Sequence, residues 1–215
     1  MPELPELQAL AEGLHAACAG RTVTGSRMHH PATVRTVEPP LSALTGGTVT
    51  GVWRRGKIIG IDLSGGLTLV MHLMNSGRLG VMASAPGARA GRQACLDLDI
   101  DGVGTLRPRE LGTRRRATAH VLDADALAHH RPLTRLGPEP IGLTAADWRT
   151  AFGAPPAARL HTALRDGRRV AGIGRAYASD IMWAARLAPF ATAARLDDGG
   201  LDRLAGAVDT VLGQA

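Results

Sequence analysis

Pro2, Glu3, Glu6 and Lys57 are the residues of this 215-residue chain whose types and spacing could do chemistry. The chain starts Met1-Pro2-Glu3-Leu4-Pro5-Glu6, so removal of Met1 would leave Pro2 as a free secondary amine with carboxylates one and four residues behind it. An α-amino group titrates near ~7.7 to 8.0, against ~10.4 for a lysine, so at neutral pH roughly a tenth of it is unprotonated. Such an amine can attack an aldehyde carbon, and the iminium it forms is an electron sink. Glu3 puts a carboxylate beside the same nitrogen. These residues also suit an ordinary helix start, with a proline where a missing N–H costs nothing and acids where the macrodipole favours them. Lys57 is the only lysine among 25 basic residues. A chain so biased toward arginine keeps a lysine either by chance on a solvated hairpin or because the position needs an amine that can lose its proton.

The elements that must position these groups follow from patterning. Leu4, Leu7, Leu10, Leu14 and Cys18 recur at steps of three and four, which predicts a helix from about Glu3 to Ala19, stopped near Gly20. Short strands separated by turn signals are expected over Thr22–His29, Thr48–Arg54, Lys57–Leu63, Leu67–Leu73 and Gln93–Ile100, the last behind a loose Ser84–Gly91 segment. Together they suggest an antiparallel sandwich, with Lys57 just after a hairpin tip. Beyond Arg114-Arg115-Arg116 the chain turns alanine-rich with helical spacing over Asp123–His130, Thr144–Phe152, Ala157–Arg165, Ala176–Ala185 and Leu201–Leu212. The expected division is a sheet domain over 1–115, a linker over 116–130 and a helical domain over 131–215.

Composition narrows the partners. The net charge is +6 with a sequence pI near 10.8, which favours polyanions, nucleic acid ahead of membrane. No apolar run is long enough to span a bilayer and no signal segment opens the chain, so it reads as soluble and cytoplasmic. Cys18 and Cys95 stand far apart, which argues against a disulfide framework or a cysteine zinc site. Aromatics at 3% are too few for stacking platforms that hold single strands.

Three further stretches could meet a duplex. His72-Leu73-Met74-Asn75-Ser76-Gly77-Arg78-Leu79 carries a flexible apolar side chain at a polar turn, which can be core or a wedge filling the gap left by an extruded base. Leu106-Arg107-Pro108-Arg109-Glu110-Leu111-Gly112 reads either as a second such loop or as a plain basic turn. Gly172 and Gly174, among Arg168, Arg169 and Arg175, would let backbone N–H groups approach a phosphate at a helix start.

These blocks, with Arg54-Arg55-Gly56-Lys57 and Leu136-Gly137-Pro138-Glu139-Pro140, stand in the order and spacing of the formamidopyrimidine-DNA glycosylase and endonuclease VIII family, which the whole chain resembles. The resemblance implies an α+β protein: an N-terminal β-sandwich with an N-terminal helix, then a helical domain with a helix-two-turns-helix element. It implies a base-excision repair enzyme, glycosylase and abasic-site lyase, acting as a monomer on double-stranded DNA with an oxidised base or abasic site. Pro2 resembles the family nucleophile, Glu3 its acid/base partner, Glu6 the supporting carboxylate and Lys57 the hairpin lysine near the lesion. His72, Met74, Arg109 and Leu111 resemble the residues that meet the opened duplex, and Gly172, Gly174 and Arg175 the phosphate-binding turn.

The chain also departs from the family pattern. Leu111 replaces a phenylalanine, Arg175 an asparagine and Asp180 a glutamate, while Arg107-Pro108-Arg109-Glu110 reverses the usual charges, which bears on opposite-base preference. The chain as given stops at Ala215, ahead of the zinc hairpin of most relatives, so no cofactor is expected in it although full-length relatives would carry zinc. An alternative is a damaged-duplex binding protein of the same fold with little turnover. An unrelated enzyme using an amino-terminal proline on small keto acids fits the positive charge poorly.

Overall fold

The apolar stripe at the start of the chain forms α1 (Leu4–Cys18), with Leu4, Leu7, Ala11, Leu14 and Cys18 buried. The helix ends before Gly20, whose φ of +77° a side chain would strain. In the computed structural model the chain divides into two compact units, Met1–Pro2 with Leu7–His130, and Glu3–Glu6 with Arg131–Ala215. The structure describes residues 1–83, 90–153, 158–188 and 190–214. The expected loose segment over 84–89, the expected helix start at Ala157 and Pro189 lie outside the described residues.

The first unit holds β1 (Val23–Met28), β2 (Val49–Arg55), β3 (Ile58–Leu63), β4 (Thr68–His72), β5 (Gly77–Met82), β6 (Leu96–Ile100), β7 (Gly104–Glu110) and β8 (Thr118–Leu122). They form two antiparallel sheets, ordered β1-β6-β7-β5 and β2-β3-β4-β8. Alternate residues of both sheets share one core: Val23, Leu96, Leu98 and Leu106 meet Val49, Ile59, Ile61, Leu69, Met71 and Val121, with Leu7, Leu14 and Cys18 of α1. This is a β-sandwich with its N-terminal helix.

Two expectations from the sequence are overturned here. Residues 116–130 are no linker: β8 pairs with β4 from Thr68↔Leu122 to His72↔Thr118, burying Ala119 and Val121, and Asp123 caps α2 (Ala124–Ala128). The triple arginine obscured a strand whose alternation begins directly after it. The loop over 106–112 is largely strand β7, an interior strand of its sheet. Pro108 is tolerated there because the continuous ladder to β6 has already ended at Leu106, so the missing N–H breaks no rung on that side.

Arg107 of β7 is buried, and its Nε and Nη2 donate to the two oxygens of Asp97 at 2.5 and 2.6 Å. His29 Nε2 also stands 2.9 Å from Asp97, off the angle of a good hydrogen bond. Burial pushes the Asp97 carboxyl up, but the Arg107 hydrogen bonds and the closeness of Arg107 and His29 outweigh it, and the net shift is downward. The reversed charge at Arg107 therefore points into the protein and reads no base.

The second unit contains α3 (Arg131–Thr134), α4 (Ala145–Phe152), α5 (Leu160–Arg165), α6 (Arg175–Ala184) and α7 (Asp198–Gly213) around a core of Trp148, Phe152, Leu160, Leu164, Ile181, Leu204 and Val208. Leu4 of the first helical turn belongs to this core. Thr144 and Asp147 close α4 with a capping box, each side chain accepting the other's backbone N–H. Between α5 and α6 the chain turns at Asp166–Arg169 and again before Gly174, and Ala171 N–H donates to Pro138 C=O at 2.9 Å. Among the described residues no helix is long and apolar enough to cross a membrane.

Arg107→Ala should destabilise the first unit by about 3–5 kcal/mol, because it strands a buried carboxylate. Urea unfolding measures this. A loss under about 1 kcal/mol would mean that His29 replaces the guanidinium.

Candidate active site and nucleic-acid interface

Glu3 is only 4% exposed, an unusual place for a carboxylate, and its partners explain it. Oε2 accepts the N–H of Gly174 at 2.5 Å and Oε1 that of Ala176 at 3.1 Å. Gly174 is the N-cap of α6 and has no side chain to cap the helix, so Glu3 supplies the anion that the helix N-terminus favours. Leu4 N–H donates to Gly172 C=O at 3.1 Å. A Cβ on Gly172, whose φ is +88°, would press on Leu4, and one on Gly174 would overlap the Glu3 carboxyl. The two glycines thus serve close approach of the chain's own N-terminal turn, and the Gly174 N–H expected to face phosphate is given to Glu3.

Glu6 closes the same turn. Its Oε2 accepts the Glu3 N–H at 3.0 Å and its Oε1 the Tyr177 hydroxyl at 3.2 Å. Tyr177 is pushed up to about 12 by burial first, then by the charge and hydrogen bond of Glu6. The tyrosine therefore remains a donor at any physiological pH. Tyr177, the one tyrosine of the chain, is not among the residues that the sequence marks as candidates. Its helix register, two residues after Arg175, was the available signal. Arg175 itself is exposed at the first position of α6.

The first unit holds the other candidates, and Pro2, half-buried, is counted with it. Lys57 follows Gly56, whose φ of +56° makes the turn between β2 and β3. Arg54 ties that turn down, donating to Gly56 C=O at 3.2 Å and to Gln8 of α1 at 2.8 Å. His72 pairs with Ile58 across the ladder, and burial first, then the Lys57 charge, hold its pKa below the ordinary value. The neutral ring accepts the Met74 N–H at Nδ1, 3.0 Å, so its proton sits on Nε2. That bond steadies Met74 at φ +54°, a left-handed conformation that non-glycine residues seldom adopt.

Met74 is half-buried, and the neighbouring Asn75 is the exposed residue of the turn. The wedge expected at Met74 alone is thus a Met74–Asn75 tip. The structure brings this tip beside the other candidate loop: β5 and β7 pair Arg78↔Arg109 and Gly77↔Glu110, and Leu111 N–H donates to Ser76 C=O at 3.1 Å. Arg109 and Leu111 are exposed at the end of β7. Glu110 between them is buried.

Among the described residues no group of three or more His, Cys, Asp or Glu could hold a metal ion. Cys18 and Cys95 are both buried and free, and burial pushes both thiols up, away from the thiolate that zinc requires.

Residues 1–119 match the family model described as the formamidopyrimidine-DNA glycosylase N-terminal domain. A formamidopyrimidine-DNA glycosylase of Cereibacter sphaeroides is 36% identical over 235 residues, covering 100% of this chain and 78% of its own. One from Halorhodospira halophila is 35% identical over 219 residues, covering 99% and 77%. In fold, the chain is similar to a Lactococcus lactis Fpg variant solved in complex with a Fapy-dG-containing DNA, with a TM-score of 0.88 at 22% identity over 100% of this chain and 78% of that one. The sandwich, the helical unit and the N-terminal turn seated on α6 accordingly define a member of the formamidopyrimidine-DNA glycosylase family, to which this chain belongs.

Three histidines of the first unit favour the neutral form: His72, His120, held down to about 4 by burial first and then by His130 and Arg35, and His130. Their folded pKa values lie below the unfolded value near ~6.5, so below that pH the unfolded chain binds more protons. Stability present above pH ~6.5 should therefore fall as the pH drops toward ~5, as read by stepped-pH urea titration. A flat profile over that window would contradict the assignment.

Proposed function

We propose that this chain is a base-excision repair DNA glycosylase with abasic-site lyase activity, in which Pro2 is the nucleophile and Glu3 the acid/base group. The observation that carries the reading is the Glu3 seat: a buried carboxylate, adjacent in sequence to the Pro2 nitrogen, with both oxygens held by backbone N–H groups. Two such bonds hold the orientation of a carboxyl group that can take up and return a proton.

With Met1 removed, the Pro2 nitrogen bonds to the sugar C1′ as the glycosidic bond breaks and its electron pair leaves with the base. Ring opening leaves an iminium between Pro2 and C1′, Glu3 relaying the proton that the ring oxygen gains. The iminium acidifies the C2′ proton, whose loss expels the 3′ phosphate, and a second elimination expels the 5′ phosphate. Glu6 and Tyr177 hold the turn that carries Glu3. Lys57 meets phosphate and sugar near the lesion, Met74, Arg109 and Leu111 occupy the space of the extruded base, and Arg175 contacts phosphate. Gly172 and Gly174 act by admitting Leu4 and Glu3.

The substrate is double-stranded DNA with an oxidised base or an abasic site. The chain works as a monomer and resides in the cytoplasm on nucleoid DNA. Its relatives are bacterial formamidopyrimidine-DNA glycosylases, which supports that placement.

Borohydride trapping on abasic and 8-oxoguanine duplexes, with mass spectrometry of the terminus, tests the reading. Pro2→Gly should keep duplex binding and lose most trapping, and Gly174→Ala should lose trapping by displacing Glu3. Binding without any trapped adduct in the wild type would leave a non-catalytic damage-binding protein instead. Affinity should fall steeply with salt, since it rests on arginine-to-phosphate contacts and counterion release. A slope of log affinity against log salt near zero would contradict a duplex partner.

A further inference from the structure

Glu110 stands at the end of β7 between the exposed Arg109 and Leu111, yet its side chain is 1% exposed and points inward. Its carboxylate accepts four hydrogen bonds from three donors. Arg116 N–H lies 2.9 Å from Oε1 and 2.8 Å from Oε2, Ala117 N–H is 3.2 Å from Oε2, and the Ser76 hydroxyl donates to Oε1 at 3.3 Å. Its backbone is held as firmly, its N–H donating to Gln93 C=O at 2.9 Å while its C=O accepts Arg115 Nη1 at 3.3 Å. Gly112 packs so close to Ser76 that a Cβ there would meet the hydroxyl at 2.7 Å. One buried anion thus joins three backbone segments: the turn carrying Met74 and Asn75, the end of β7 carrying Arg109 and Leu111, and the chain returning at Arg116–Ala117 into β8.

We propose that Glu110 is a positioning residue for base expulsion, fixing the separation at which the Met74–Asn75 tip and the Arg109/Leu111 tip are presented to the duplex. The inference rests on the glycosylase reading of the preceding section. A carboxylate suits the position because two of its three partners are backbone N–H groups, which only donate; an amide of the same shape would turn its NH2 toward the Arg116 N–H, which lies beside both oxygens, and lose at least one bond. The buried charge also explains why the reversed sign at this position reads no base: Glu110 acts on the two tips and never on the nucleic acid.

The two tips are needed to open intact stacking, and an abasic site has no base to expel. Glu110→Gln should therefore slow removal of 8-oxoguanine from duplex by about ten- to hundredfold, the scale set by misplacing a reactive geometry by about an ångström. Cleavage of a ready-made abasic site should stay within about twofold. Ser76→Ala removes one of the four bonds and keeps the buried charge, so it should fold like wild type and show the same split in milder form. Both variants are compared with wild type in single-turnover assays on the two substrates, with thermal unfolding alongside. Equal losses on both substrates, or none on either, would overturn the proposal while leaving the glycosylase reading intact. A wild type inactive on both substrates would sink that reading first.

Discussion

The seating of Glu3 on the first turn of α6 is the contact on which the rest of this structure depends. A helix N-terminus leaves backbone N–H groups unpaired and carries partial positive charge, and a buried carboxylate needs both donors and countercharge. Each supplies what the other lacks, so two groups that would be costly to bury alone become a stable pair, at about 1.5–3 kcal/mol for each charged hydrogen bond. The glycines on either side of Ile173 are the steric condition for it, one admitting Leu4 and the other the Glu3 carboxyl itself. This pairing ties residues 171 and 173 positions apart, and it fixes the carboxylate of the residue that follows Pro2 in the chain.

The same device recurs in the first unit with its parts exchanged. Glu110 and Asp97 are buried acids that would destabilise the sandwich if left alone. Glu110 is satisfied chiefly by backbone N–H groups of a returning segment, and Asp97 by the Arg107 guanidinium. Each therefore has a definite geometry, because a buried charge tolerates few alternative arrangements. Asn75, Arg109 and Leu111 of the first unit, and Arg175 of the second, are exposed.

Much of the fold was legible in the chain. The 3-and-4 stripe of α1, the strands around Gly56 and Gly65, and the caps at Asp123 and Thr144 are local patterns whose physics needs no distant residue. The strands that were missed, β5, β7 and β8, are polar, interrupted by proline or preceded by arginines, and only their neighbours in the sheets make them strands. The candidate residues were found by type and order. Their surroundings were not: Gly174 looked like a phosphate cradle and Met74 like the outermost point of its turn.

By itself the sequence determined the alternation of elements, the arginine-rich positive charge, the single lysine after a hairpin tip and the proline followed by a carboxylate at the start of the chain. Those are properties of residue type and spacing within a few positions. Only the tertiary structure decided what each charge faces: that Arg107 and Glu110 point inward, that Glu6 answers to Tyr177, and that the helix N-terminus at Gly174 is occupied by the protein's own Glu3. The reason is that a charge is placed by the donors and acceptors around it. In this chain those partners stand as few as three and as many as 173 residues away, a range over which local pattern carries no information.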